Sequence, residues 1–313
     1  MISLRYHIVT IAAVFIALAL GVVLGSTSLS STLLSGLTGQ KDQLGRQVSD
    51  LQTQRNALNA KLANDDKFAK SIGPTAVRGT LAKRTVALIT TADARPADRD
   101  ALLSLIKDSG ATVTAQVQLT DAFTDSNKAD QLRDLVTRSI PAGVQLPTAS
   151  DPGTLAGGLM GPLLLLNKQN NHPQASHAEI SAAMSALSDG GFVKTTGNVE
   201  PAQLAIVLTG GAQQGTGAGD KASTLGRFAT QVQRSGAGTV LAGDAGSADG
   251  DGAIGVVRAD TSASSVLSTV DDADSPAGQT VTMLALVEQL NGKAGQYGIA
   301  GNAQAPMPTS NAG

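Results

Sequence analysis

An uninterrupted apolar run near the start of the chain is its strongest hydrophobic pattern. Residues Ile8–Leu24 contain one threonine and otherwise apolar or small residues, and no charge occurs between Arg5 and Lys41. A membrane-spanning helix needs roughly 20 apolar residues, within a range of about 17 to 25. The run therefore predicts a transmembrane helix over residues 8–25, which follows a short N-terminal segment of residues 1–7.

The residues that flank this run indicate its orientation in the membrane and whether it is cleaved as a signal peptide. Arg5 and the terminal amine favour a cytoplasmic N-terminus, so that the bulk of the chain lies outside the cytoplasm. A cleaved signal peptide is the competing interpretation, because it also begins with an apolar region, usually of about 7 to 15 residues. The run is longer than that, and Val23–Gly25 is a poor cleavage site. The pattern favours a single-pass protein of the cell membrane.

A heptad pattern follows the apolar run and predicts a helical stalk over residues 26–72. Leucines recur every seven residues from Leu37, which places them at d positions, and two more apolar residues occupy a positions. The side chains expected to contact a partner are Leu44, Val48, Leu51, Leu58 and Leu62. The pattern favours a coiled coil with another protein or with a second copy, and an amphipathic helix against its own domain is the alternative.

Several residues limit this stalk. Lys41 and Arg55 fall at a positions and weaken the seam, and Gly45 lowers helix propensity. From residue 40 to residue 64 a helix would extend about 37 Å, at about 1.5 Å per residue. Ser71–Pro74 is expected to end the helix, because proline disfavours helical geometry in the residue before it.

Short apolar runs alternate with helical patterns from Thr85 onward. Strands are expected at residues 85–90, 111–119, 204–208, 239–242 and 254–257, and helices at 96–107, 129–140, 154–166, 175–187, 221–234 and 277–290. Apolar strands without alternation are buried on both faces, and alternation with helices indicates a mainly parallel sheet. The predicted fold class is α/β: a transmembrane helix and coiled-coil stalk, then a three-layer domain over residues 84–291. Residues 292–313, rich in Gly, Pro and Asn, are expected to be a disordered tail.

Composition narrows the classes of function. Hydrophobic residues make up 42% of the chain, which is enough for a buried core. The net charge of −2 supplies no basic field for nucleic acid, so no nucleic-acid partner is expected. The chain has no cysteine and three histidines, and no nucleophile motif stands out. We therefore expect no enzyme, no catalytic residues and no cofactor.

A glycine-rich segment and an acidic segment are the two loops that invite a functional interpretation. Gly210 and Gly211 follow an apolar strand and precede a helix, which is where phosphates bind in α/β folds. The run to Gly219 matches no strict phosphate-loop motif, so a flexible loop is the alternative. Asp271 and Asp272 precede the last helix, where carboxylates interact favourably with the helix dipole.

The acidic segment has its own competing interpretations. Ser275 or Asp274 is expected to be the N-cap of that helix, with Pro276 at its first position. A site for a cation or a partner is the alternative. A second acidic run, Asp249–Gly252, is expected to be a polar turn between two strands rather than a calcium loop, because the remaining oxygen ligands are missing.

Three residues are weak candidates for a metal site. His172 and His177 lie five residues apart in or beside an expected loop, and Met184 follows on a helix. Imidazole and thioether groups bind copper, but this spacing matches no recognised site. A solvent-facing loop is the alternative.

Four stretches of the sequence resemble a known family. They are residues 1–5 with 17–26, residues 207–211, residues 236–243, and residues 268–274 with Gly278. In these stretches the chain is similar to actinobacterial envelope proteins of the MctB family, known as copper transporters. The resemblance implies a role in copper transport or homeostasis, and copper is implied by resemblance alone. It carries no agreed catalytic residues.

The same resemblance implies an alternative role. A corynebacterial relative, SteB, is linked to cell separation together with SteA and a peptidoglycan hydrolase. We therefore expect a non-enzymatic, membrane-anchored envelope protein of the copper-transport family. A single helix offers no pathway for an ion, because a pathway needs several helices or a closed barrel. The alternative is a coiled-coil scaffold that binds a SteA-like membrane partner and regulates a peptidoglycan hydrolase in cell separation.

Overall fold

A single long helix begins the described part of the chain. The structure, a computed structural model, describes residues 4–309. For residues 26–39 it describes the backbone but not the side chains. Helix α1 (Leu4–Val77) contains both the apolar run and the heptads. Within the described residues, the segment Leu4–Gly25 is the one stretch long and apolar enough to cross a membrane. The first three residues of the predicted N-terminal segment lie outside the described range.

The predicted break at Ser71–Pro74 is wrong, because α1 continues through Pro74 to Val77. Two contacts of this end of the helix explain the difference. Gly73 lies against Thr280, so close that an added Cβ would fall 2.6 Å from its hydroxyl oxygen. Val77 is fully buried in the core. Packing therefore outweighs the local cost of proline, which is about 3 kcal/mol inside a helix. The chain divides into two compact units, Met1–Asn64 and Asp65–Gly313.

The second unit is an α/β domain with a seven-stranded sheet. Its strands are β1 (Thr85–Thr90), β2 (Thr112–Leu119), β3 (Val193–Thr195), β4 (Leu204–Thr209), β5 (Gly238–Gly243), β6 (Ser268–Val270) and β7 (Gln296–Tyr297). Its further helices are α2 (Pro96–Asp108), α3 (Asp121–Thr124), α4 (Ala129–Arg138), α5 (Pro152–Leu164), α6 (His177–Asp189), α7 (Ala218–Ser235), α8 (Ala253–Ala259), α9 (Thr261–Ser264) and α10 (Pro276–Leu290). A short 3-10 turn covers Ser126–Lys128.

The strand order places the chain among doubly wound folds. The order is β3-β2-β1-β4-β5-β6-β7, and every pair is parallel except β2 with β3. The five strands β2-β1-β4-β5-β6 thus follow the flavodoxin-like order. The direction in which successive strands are added to the sheet reverses between the parallel strands β1 and β4, where Ile89 pairs with Val207. This reversal defines the crevice in which such folds bind ligands, outside the carboxyl ends of the strands.

The sheet is buried on both faces, as its apolar strands predict. Within β1, Val86 and Leu88 belong to one core cluster, and Ala87 and Ile89 belong to the other. Helices α2 and α10 cover the first face together with Val77, and α4 to α8 cover the second. The predicted three-layer domain with a mainly parallel sheet is confirmed.

Two predictions about the C-terminal half are wrong. Residues 254–257 form part of helix α8 rather than a strand, and the turn Asp249–Gly252 therefore leads from β5 to a helix. Gly255 permits this packing, since an added Cβ would lie 2.0 Å from the carbonyl oxygen of Asp249. β-branched residues here favour a strand locally, and tertiary contacts override that preference.

The described part of the predicted disordered tail is ordered. Strand β7 pairs with β6, and Tyr297 is only 6% exposed. The chain then folds back over β7, so that the carbonyl oxygen of Gln296 accepts a hydrogen bond of 2.7 Å from the backbone N–H of Gln304. Composition suggested disorder, but the aromatic ring of Tyr297 and these backbone hydrogen bonds hold the segment. Residues 310–313 of the predicted tail lie outside the described range.

A row of glycines brings α5 close to α7. Gly153, Gly157 and Gly161 lie four residues apart and so share one face of α5. An added Cβ on Gly157 would be 2.7 Å from the carbonyl oxygen of Phe228 in α7, and one on Gly153 would be 2.3 Å from that of Thr224. The two helices therefore pack nearly backbone to backbone over the second face of the sheet.

Candidate functional site

The crevice at the strand reversal is bordered by loops that follow β1 and β4. Asp93 follows β1, and its carboxylate accepts hydrogen bonds from Thr91 and, at 2.8 Å, from Nε2 of Gln213. Gly210 follows β4, and an added Cβ there would lie 2.8 Å from both the carbonyl oxygen and Oδ2 of Asp93. Gly211 approaches the carbonyl oxygen of Ala245 equally closely. At both Gly210 and Gly211, the lack of a side chain therefore allows the backbone to lie close to a neighbouring loop.

This geometry bears on the predicted phosphate site. The glycine loop does precede a helix, since α7 begins at Ala218 and Gly217 has a left-handed backbone. However, the carboxylate of Asp93 lies beside Gly210, and a negative charge there opposes a phosphate. A cavity of about 130 Å³ in this region is lined by Asp93, Asp121 and Lys221 among others. The arrangement favours a structural loop, and a ligand at Gly210 and Gly211 stays a prediction.

Arg95 joins the loops at the carboxyl ends of three strands. Its Nε lies 2.7 Å from Oδ2 of Asp98 in α2 and 3.2 Å from Oδ2 of Asp244, which follows β5. Its Nη2 donates to the carbonyl oxygen of Asp274, which follows β6, at 3.3 Å. The hydrogen bond with Asp98 raises the pKa of Arg95, so the guanidinium stays charged. The one guanidinium therefore links the loops that follow β1, β5 and β6 at the carboxyl ends of these strands.

Asp244 is the most perturbed acid at this edge. Its burial raises its pKa to about 6 against the opposing effect of Arg95, and the charges of Asp98, Asp274 and Asp93 raise it further. Its Oδ1 is buried without a hydrogen-bond partner. Carboxylates outnumber the one arginine here. Among these acids, Asp244 has the pKa that burial and repulsion raise most.

The two acids predicted as a possible site before the last helix are both buried. Asp271 is 1% exposed and forms an ion pair of 2.6 Å with Arg258, so its charge is neutralised within the fold. Asp272 is 7% exposed, and burial raises the pKa of its carboxyl. Ser275 caps α10 by accepting a hydrogen bond from the N–H of Gly278, with Pro276 in the first turn, so the predicted cap is confirmed.

The three candidate metal ligands are not brought together as one cluster. His177 and Met184 both line a cleft of about 330 Å³ beside α6, but Met184 is 4% exposed and packs in the core. Nδ1 of His177 faces Oε1 of Glu200 at 3.4 Å. His172 lies in the preceding loop and does not line that cleft. Among the described residues, no group of three or more His, Cys, Asp or Glu side chains has the arrangement of a metal site.

The heptad side chains lie exposed on α1 within the first unit. The exposed fractions are 61% for Leu44, 54% for Val48, 65% for Leu51, 67% for Leu58 and 60% for Leu62. A repeating apolar surface of this kind on a long helix is typical of one that packs against another helix. A partner for it is not tested by the fold and stays a prediction.

The sequence pattern missed Arg95 and Asp244 as members of one cluster. They lie far apart along the chain, after β1 and β5, and meet only because the parallel strands of the sheet have their carboxyl ends on the same side. The available signal was positional: Asp93, Asp244 and Asp274 each follow closely on a strand of this sheet. The segments with family resemblance in the C-terminal half map to β4, β5 and β6, of which β5 precedes Asp244 and β6 precedes Asp274.

Comparison with known proteins covers almost the whole chain. The model of the family described as "Copper transport outer membrane protein, MctB" matches residues 1–308. A Mycobacterium tuberculosis (strain H37Rv) protein named "Copper transporter MctB" is 41% identical over 303 residues, which covers 95% of this chain and 96% of that protein. A Mycobacterium leprae protein of the same name is 40% identical over 307 residues, with 96% of each chain covered. This chain, with its apolar N-terminal helix and flavodoxin-like domain, therefore belongs to the MctB family.

Proposed function

We propose that this chain is a non-enzymatic, single-pass membrane protein that acts in copper transport or homeostasis and is not itself the pore. Its N-terminus would lie in the cytoplasm and its α/β unit outside. The copper role is supported by the relatives of the same family, which are named copper transporters. The observation that carries the membrane part is the 22-residue apolar segment Leu4–Gly25 at the start of α1.

The apolar helix has almost no polar side chains that could line a path for an ion. An ion in the hydrocarbon layer needs polar groups or water on all sides, which several helices or a closed barrel provide. The side chains from Ile8 to Leu24 offer one hydroxyl, that of Thr10, and it donates to the helix backbone at Tyr6 and His7. We therefore assign the path of the ion to another protein and the role of anchor to this helix.

The test exchanges the anchor. Cells that lack this chain would receive either the full chain or a form in which residues 4–25 are replaced by an unrelated single apolar helix. We expect both forms to restore copper tolerance and cellular copper content equally. Loss of tolerance in the exchanged form, at an equal level in the membrane, would show that the helix takes part in the path. No effect of the full chain on copper content would contradict the copper role itself.

Direct handling of copper is a separate part of the proposal. The weak candidates remain His172, His177 and Met184. Calorimetric titration of the full chain in detergent micelles with Cu(I) and with Cu(II) measures binding, and His177→Ala and His172→Ala serve as the matched variants. We expect no site tighter than micromolar, because the three side chains do not converge. A tighter site that His177→Ala removes would establish direct binding.

A second candidate function rests on the exposed heptads. A stripe of Leu44, Val48, Leu51, Leu58 and Leu62 is suited to a helical partner, and the family resemblance suggests a SteA-like membrane protein and a peptidoglycan hydrolase. Crosslinking in intact cells, with recovery of a hydrolase, is the test. Leu51→Asp with Leu58→Asp should abolish recovery, whereas Thr53→Asp with Ala60→Asp, on the opposite side of the helix, should retain it. Equal recovery from both pairs would exclude the stripe as the binding surface.

A further inference from the structure

The heptad stripe of α1 is an apolar surface that needs a specific occupant. All five of its side chains are more than half exposed in the described first unit. If the leucines occupy d positions, the a and d positions from residue 41 to residue 62 form the core of the seam. They contain five apolar residues and the two basic residues Lys41 and Arg55. A core of this kind is shielded from water only when a second helix lies along it.

We infer that the occupant is a second copy of this chain, paired with α1 in parallel and in register along residues 41–62. The inference rests on the membrane-anchor part of the proposed function. Two copies held by the same N-terminal segment in one bilayer necessarily run in the same direction. The d-position leucines of one copy, such as Leu51, then face the same leucines of the other.

Charge at the flanks of the seam agrees with self-pairing. In a parallel pair, a g position faces the e position five residues further along the other helix. Lys61, at g, is the one charged flanking residue from 45 to 62, and the e position that it would face, residue 66, lies beyond the paired stretch. The other e and g positions between residues 45 and 59 are uncharged, namely Gly45, Gln47, Gln52, Gln54 and Asn59. Self-pairing thus meets no repulsion between flanking charges over this stretch.

The basic a positions set the number of strands. Lys41 and Arg55 would each face the same residue of the second copy, which lowers the stability of the pair. A charged a position also favours a defined register and two strands over larger assemblies, because its long side chain must reach water. The seam is therefore suited to a pair of helices of modest stability.

The membrane compensates for that modest stability. Most of the stability of a helix in a protein comes from packing of its apolar face, and here Lys41 and Arg55 interrupt that face. Two chains anchored in one bilayer associate as tethered partners, with an effective concentration well above that in solution. The apolar segment also carries small residues four apart at Ala13, Ala17, Gly21 and Gly25, and an added Cβ on either glycine would meet no atom within 4 Å. Such spacing allows spanning helices to approach closely, in agreement with a pair.

The absence of cysteine from the sequence makes the test direct, since any introduced thiol is unique. Single variants Leu51→Cys and Leu58→Cys place thiols in the seam, and Thr53→Cys and Ala60→Cys place them at f positions facing away. The full chain in native membranes would be oxidised with diamide and examined without reductant. We expect a disulfide-linked species of twice the chain mass, with a yield at least several-fold higher for the seam variants.

Fractionation of the same samples separates the two proposals. Seam-selective crosslinking of membrane-bound chain supports the pair. Equal yields from seam and f positions, with the chain in the membrane, would overturn the pair and leave the anchor standing. Recovery of the chain in the soluble fraction would overturn the anchor, and with it the pairing in one bilayer. A seam variant that links to a protein of different mass instead would also overturn the second copy as occupant.

Discussion

The guanidinium of Arg258 and the carboxylate of Asp271 lie 2.6 Å apart, and their side chains are only 4% and 1% exposed. Both groups form further hydrogen bonds. Arg258 also donates to Thr269 and to the carbonyl oxygen of Tyr297, and Asp271 accepts from the backbone N–H groups of Ile299 and Ala300. The pair thus fastens the last ordered segment to the end of strand β6.

Replacement of Arg258 tests this arrangement. Arg258→Met leaves the buried carboxylate of Asp271 without its cation, and such a loss costs about 3–5 kcal/mol. We expect the free energy of unfolding to fall by that amount in urea titration of the full chain in micelles. Tyrosine fluorescence follows the transition, because Tyr297 lies beside the pair. Arg133→Met, at an exposed pair with Asp130, should change the value by less than about 1 kcal/mol. Equal effects would contradict the assigned importance of burial.

Ending the chain at Gly292 distinguishes an ordered segment from a disordered tail. The truncation deletes β7 and removes the carbonyl oxygen of Tyr297 that Arg258 contacts. We expect a clear fall in the calorimetric melting temperature, whereas a disordered tail would leave it unchanged. Ile299→Ala is the control within the segment, because that side chain is 74% exposed and should matter little.

We expect the titration of Asp244 to make the free energy of unfolding depend on pH. Its pKa is raised by burial from an ordinary value of 3.8 to about 6 in the folded chain. The folded chain therefore holds this proton at a pH where the unfolded chain has lost it. The associated stability is fully present below about pH 4 and is lost as pH rises through about 6.

The corresponding measurement compares unfolding midpoints at pH 5 and pH 7. We expect the unsubstituted chain to gain stability on acidification, and Asp244→Asn to gain less, because the titrating group is gone. Asp100→Asn is the control, since Asp100 has a side chain 63% exposed. If Asp244→Asn keeps the full dependence, another group must be responsible.

The close approach of α5 and α7 predicts an unusual sign for a glycine substitution. Gly→Ala inside a helix normally stabilises by about 0.5–1 kcal/mol. At Gly157 the added Cβ would collide with the carbonyl oxygen of Phe228, and overpacking costs about 1–3 kcal/mol. We therefore expect Gly157→Ala to lower the free energy of unfolding.

The matched control for this substitution lies in α1. At Gly45 an added Cβ meets nothing within 4 Å, so Gly45→Ala should be neutral or stabilising. Urea titration of both variants gives the comparison. A stabilising Gly157→Ala would mean that the two helices can separate at little cost.

Hydrophobic periodicity predicted most of the fold, because the central strands are continuous apolar runs. Strands β1 and β4 and the longer helices between them, α2, α4, α5 and α6, follow from the pattern with small shifts at their ends. Strand β6 was missed because Ser268 and Thr269, although buried, read as polar residues. Helix α8 was misassigned because Ile254 and its β-branched neighbours favour a strand, and only packing through Gly255 decides otherwise.

The candidate site was less accessible to sequence reasoning. The capping of α10 is local and was predicted, since Ser275 and Pro276 are adjacent to the helix they begin. The Arg95 cluster depends on the order of strands in the sheet, which no local pattern encodes. The ion pair between Arg258 and Asp271 likewise requires the end of β6 to lie beside α8.

The fold-back of the chain over β7 has a consequence for contacts between neighbouring molecules. The edge of a sheet is a template on which a strand from another molecule can add, and exposed edges promote aggregation. Here the outer carbonyl oxygen of Gln296 is already taken by Gln304, and Tyr297 forms a bridge with Ala305. This edge is sealed by the protein's own chain, so the domain is protected on that side from uncontrolled strand exchange with its neighbours.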